Sequence, residues 1–97
     1  MFLLELTYTA ELADIDAAMK AHMRWLNAQY AAGHFLVSGR KIPRDGGVIL
    51  ATGASREAVE AIANEDPFVK QKLATVRVVE FRASQKTKEL KRFADAE

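Results

Sequence analysis

The chain has 97 residues, 49% hydrophobic and 28% charged, which is enough for one globular domain with a modest core and excludes a disordered tail. A formal net charge of +1 supplies no field for holding nucleic acid or an anionic membrane surface. The absence of cysteine excludes disulfides, thiolate metal sites and a cysteine nucleophile.

Phe2, Leu4, Leu6 and Tyr8 alternate with Leu3, Glu5, Thr7 and Thr9, the two-residue period of a strand. Glu5 interrupts the apolar start and no basic segment precedes it, so this stretch reads as structure and not as an export signal. No segment approaches the roughly 20 apolar residues needed to span a bilayer. A soluble, cytoplasmic protein that binds neither membrane nor nucleic acid is expected.

Residues 11–33 turn helical, with Ile15, Met19, His22, Leu26 and Tyr30 on one stripe and Ala18 and Trp25 beside it. Acids open this segment and bases follow, in agreement with the helix dipole, and Gly33 stops it. Residues 34–41 and 46–53 read as two strands joined by "IPRDGG", whose proline and Asp-Gly-Gly mark a hairpin turn. A second helix over 55–65 has Ser55 as its N-cap, and "FVKQKLA" adds a further turn or two. A fourth strand covers 75–83. The order β-α-β-β-α-β predicts an α+β, ferredoxin-like domain over residues 1–83, with two helices on one face of a four-stranded antiparallel sheet.

Residues 84–97 form a charged tail with weak helical character through Leu90, Phe93 and Ala94. Its Lys86, Lys88, Lys91 and Arg92 are mixed with Glu89, Asp95 and Glu97, and no aromatic platform accompanies them. A solvated helix therefore fits better than a nucleic-acid arm. The strands carry apolar residues on both faces: Leu3 and Leu4, Leu36 and Val37, Ile49 and Leu50, Val78 and Val79. Helices cover one face, and a homodimer pressing sheet against sheet is the economical cover for the other.

Two residues stand out for chemistry. His22 lies on the buried stripe of the first helix, where a neutral imidazole must find one acceptor and one donor. The ordinary reading is a core histidine bonded to a backbone carbonyl. Asp66 precedes Pro67, and this pair starts a helix: the carboxylate caps and proline takes the first position. A carboxylate can also cap with one oxygen and accept an imidazole N–H with the other, which fixes the tautomer and frees the second nitrogen for proton transfer. Both readings remain open, because no spacing brings positions 22 and 66 together.

Arg40, Lys41 and Arg44 gather around the hairpin turn. They can attract a carboxylate or phenolate, although protection of a strand edge is the commoner reason for such a cluster. Trp25, Phe35, Phe68 and Phe81 read as core or interface aromatics that can also wall an apolar pocket. His34 is expected to face solvent. Two histidines without ligand spacing argue against a metal site, and "GRKIPRDGG" lacks the strand-to-helix order of a phosphate loop.

The pattern "H22-x3-L26…G33-x4-S38-G39", the hairpin "PRDGGVILA" (43–51), and "DPF" (66–68) followed by "VRVVEF" resemble the YciI-like (YCII-related) family over about residues 1–83. The resemblance implies a ferredoxin-like fold, dimers of α/β-barrel type and a histidine–aspartate active site. Those roles fall on His22 and Asp66, with Ser38 and Gly39 lining the pocket beside Arg40 and Phe68. Members of the family commonly have proline after that glycine, whereas Arg40 follows here, so the pocket rim differs in shape and charge. Some relatives dehydrochlorinate chlorinated hydroxyquinols. The expectation is a cofactor-free isomerase or lyase that moves a proton on a small cyclic or enolisable substrate. The alternative is a non-catalytic dimeric module that binds a small ligand or a partner.

Overall fold

The computed structural model describes residues 1–93. Strand β1 (Phe2–Tyr8) leads into helices α1 (Leu12–Ala17) and α2 (Met19–Ala31), then the hairpin β2 (Phe35–Arg40) and β3 (Gly46–Ala51). Helix α3 (Arg56–Asn64), the short α4 (Pro67–Lys70), strand β4 (Ala74–Glu80) and a 3₁₀ turn (Lys88–Phe93) follow. Of the weak helical character expected in the tail, the structure describes this 3₁₀ turn, and the expected continuation through Ala94 lies outside the described residues.

The sheet order is β2-β3-β1-β4, with every neighbouring pair antiparallel. Alternation along β1 sends Phe2, Leu4 and Leu6 into a core shared with Ile15, Leu26, Phe35, Val59 and Phe68. The helices cover that face, as the residue periods imply. Two local rules hold in detail. Gly33 adopts φ +83°, and His34 N–H bonds Gln29 O while Gly33 N–H bonds Tyr30 O, the Schellman pattern that closes α2. The Ser55 hydroxyl accepts the Ala58 N–H at 3.1 Å and starts α3.

The long first helix is divided. At Ala18 the amide N–H is shared between Asp14 O and Ile15 O, a 3₁₀-like tightening that no glycine or proline announces. Tyr30, expected on the buried stripe, is more than a third exposed, although its ring still meets Phe35 of β2 edge-on. His34 is half-buried and bonds Gln29 Oε1 through its Nδ1 at 2.7 Å, so it does not simply face solvent.

At Gly46 of β3 an added Cβ atom would overlap the backbone carbonyl oxygen of Leu6 in β1. That overlap is with backbone and cannot relax by turning a side chain. Gly46→Ala is expected to lower stability by about 3 kcal/mol, seen as a lower urea midpoint at unchanged m-value.

Opposite the helices, Val37, Leu50, Leu3 and Val79 form one row across all four strands. In the next row Glu5 binds Lys41 (3.0 Å) and Arg77 (3.9 Å). Val37 is 58% exposed, a high value for a β-branched strand residue. Among the described residues no helix is long and apolar enough to cross a membrane.

Candidate active site

A cavity of about 260 Å³ lies between α2, the helix-facing side of β1, the β2–β3 hairpin and α4. Its wall toward α4 is built by the Asp-Pro step. Asp66 Oδ1 accepts the Phe68 N–H at 3.0 Å and caps α4, while Pro67 occupies the first turn. The cap places Phe68 under His22. Their rings stack with centroids 4.0 Å apart and an interplanar angle of 6°. Trp25, one turn along α2, donates from Nε1 to Ile62 O at 3.1 Å and fixes α2 against α3.

His22 Nδ1 lies 2.8 Å from Asp66 Oδ1. An ionised carboxylate only accepts, so Nδ1 carries the proton and Nε2 is left for the cavity. The His22 side chain keeps 13% of its surface exposed, whereas Asp66 is fully buried. Solvent-borne molecules can therefore reach the imidazole but not its partner. The two carboxylate oxygens do not divide the work as expected. Oδ1 serves both the cap and the imidazole, and Oδ2 is buried without a hydrogen-bond partner. Both donors approach from one side because His22 packs on the very residue whose amide is capped.

Ser38, Gly39, Arg40 and Phe68 all line the same cavity as His22. A register irregularity in β2 between Phe35 and Val37 turns Ser38 and Arg40 toward it, with Gly39 between them. Counting in twos from the buried Phe35 would point Val37 and Gly39 inward. With the bulge, Ser38 pairs Ile49 and Arg40 pairs Gly47, on the helix-facing side, and Val37 turns out. The Ser38 hydroxyl is 2.6 Å from that of Tyr30, which holds it from α2.

The basic cluster of the hairpin is split between the two faces. Lys41 bonds Glu5 and Thr7 on the open side, whereas Arg40 and Arg44 line the cavity. Arg44 donates to Asp16 at 2.5 Å, and that hydrogen bond, with a smaller contribution from Tyr8, raises its pKa above the ordinary arginine value. Tyr8 was read from the sequence only as a strand residue. It lies edge-on to Phe68 at 5.9 Å and lines the cavity beside Arg44. Its place at the end of an inward-facing alternation was the available signal.

A four-stranded antiparallel sheet with its helices on one face defines a small ferredoxin-like α+β domain, and an imidazole–carboxylate pair stands at the wall of its cavity. The chain belongs to the YCII-related domain family, whose model matches residues 1–82. Among solved structures it is similar to 5-chloro-2-hydroxyhydroquinone dehydrochlorinase of Burkholderia phenoliruptrix AC1100 in complex with 2,5-dihydroxybenzoquinone. That similarity has a TM-score of 0.70 and 19% identity, and covers 84% of this chain and 93% of that one. At this identity the likeness establishes the fold. No curated protein matches the sequence.

Proposed function

We propose that the protein is a small cofactor-free enzyme that moves a proton on a small cyclic or enolisable molecule, with His22 as general acid/base and Asp66 as its orienting partner. The observation that carries this reading is the 2.8 Å bond from His22 Nδ1 to a fully buried carboxylate at the wall of an accessible cavity. A cap alone needs no burial, and aspartates that only start helices ordinarily stand at the solvent edge. Sealing one here, with Oδ2 unpartnered, costs about 1–3 kcal/mol, which an orienting role accounts for. A base with Nε2 left for the cavity supports the isomerisation or elimination class, and Ser38, which lines the cavity, is the candidate oxyanion partner. Similarity to a dehydrochlorinase is consistent with elimination from a hydroxylated ring.

The test is a screen in D₂O of enolisable lactones, hydroxylated quinones and 5-chloro-2-hydroxyhydroquinone, followed by deuterium incorporation and chloride release. Catalysed exchange or release that is lost in His22→Gln is the expected result. Turnover that survives that substitution would show that another group does the chemistry. A folded, ligand-binding protein with no turnover on any of these compounds would favour the non-catalytic module.

We also propose that a second copy covers the row Val37, Leu50, Leu3 and Val79, leaving the cavities on the outer sides of the pair. Sedimentation at micromolar concentration is expected to give twice the chain mass. Val37→Glu, which sets like charges face to face at a two-fold contact, is expected to give monomers. A wild-type chain that sediments as a monomer removes the dimer.

A further inference from the structure

We propose that the cavity selects molecules carrying one anionic oxygen group, a carboxylate or phenolate, received at its mouth by Arg40 with Arg44 beside it. This deepens the reading above by naming a substrate class for the same site.

Charge in the cavity wall is one-sided. Arg40 and Arg44 are the charged side chains lining it, and no carboxylate lines it. Asp66 is sealed behind His22, and Asp16 grips Arg44 without being part of the wall. Arg44 is thereby fixed in place and partly neutralised. Arg40 is different: its guanidinium has no hydrogen bond or ion pair among the described residues, although its backbone is paired in the sheet and the register shift in β2 puts it on the cavity side. Edge protection does not require that shift. An arginine guarding the edge of β2 serves equally well from the open face, where Lys41 already binds Glu5.

A free guanidinium presents a planar fork that fits two oxygens of a carboxylate or the single oxygen of a phenolate. The remaining wall is mostly apolar, with Leu6, Leu26, Ile49 and Phe68 on the core side and Met19 and Met23 near the mouth. A cavity of about 260 Å³ holds one ring with small substituents, since about 150 Å³ already accommodates benzene. The occupant is therefore an apolar ring with its charge at the arginine end, and the ring body lies against Phe68 and the cavity-facing edge of His22. Methionines at the entrance let the mouth adapt to ring substituents without altering the charge preference.

The test is binding of benzoate, phenol and benzamide to the full chain, followed by NMR shifts of the His22 and Phe68 rings at low and high salt. Benzoate is expected to bind at least about tenfold more tightly than benzamide, its neutral isostere, and to weaken as salt rises. Arg40→Gln is expected to remove most of that preference, and Arg40→Lys to restore only part of it. Arg24→Gln, the same charge change on α2 outside the cavity, is expected to leave it intact. Equal affinity for benzoate and benzamide overturns the proposal, as does an unaltered preference in Arg40→Gln. Failure of all three probes to shift either ring also overturns it, because the cavity then does not take a charged ring. The same titrations in His22→Gln separate this inference from the catalytic one: charge selection is expected to persist there, whatever becomes of turnover.

Discussion

His22→Gln is expected to lower kcat by about 10²–10⁴-fold on any ring compound the wild type turns over, with the fold retained. This corresponds to about 3–5 kcal/mol of transition-state stabilisation. Glutamine is close to histidine in reach, and its amide N–H can still donate to Asp66 Oδ1, so the buried carboxylate keeps a partner. What glutamine lacks is a nitrogen that can take and return a proton near neutral pH. The stacked contact with Phe68 is also lost, at about 0.5–1.5 kcal/mol, which a domain of ordinary stability tolerates. Matching circular dichroism and thermal melts, with kcat reduced and KM little changed, is therefore the expected pattern. A parallel collapse of stability would instead assign His22 a structural task.

The sequence was most informative where structure is decided locally. Alternation along residues 2–8, the glycine at 33 and the Asp-Pro step each answer to steric or hydrogen-bonding rules that act within a few residues. Those features place β1, the end of α2 and the cap of α4 close to where they are found. What stayed illegible was set by pairing across the chain. The bulge in β2 exists because Phe35 and Val37 register against Ala51 and Leu50. A pattern of "FLVSGR" read alone gives the wrong inward set. The same holds for the cationic hairpin, where one of three neighbouring bases faces away from the cavity. Contact between His22 and Asp66 likewise depends on how α2 crosses α4, so resemblance pointed to it and spacing did not. The sharing of Oδ1 by two donors, and the orphaned Oδ2, could be seen only once both helices were in place.

Asp66 offers the sharper separation of architecture from chemistry. Asp66→Ala removes the acceptor for both the Phe68 amide and the His22 imidazole, inside a region closed to solvent. A lost cap is worth about 1 kcal/mol and a lost charge-assisted bond about 1.5–3, while removal of the unpartnered oxygen returns part of that. A net loss of about 2–4 kcal/mol in urea denaturation is expected. Asp66→Asn keeps one acceptor oxygen but puts an NH₂ where Oδ2 now lies unpartnered, so two donors are buried without acceptors, or the amide turns and faces the imidazole with its nitrogen. The first arrangement costs about 1–3 kcal/mol, and the second forces His22 into its other tautomer and removes the acceptor that caps α4. Imidazole ¹⁵N shifts distinguish the two directly: the wild type is expected to show the Nδ1–H form, and the asparagine variant a mixture. If Asp66 orients the base, the variant assayed well below its melting temperature should still lose about 10–100-fold in kcat. If it only caps α4, kcat at that temperature should equal wild type despite the lower melting point. Because the two roles use the same oxygen, a turned amide gives up the cap together with the tautomer, so kcat measured well below the melting temperature, and not stability, is what tells them apart.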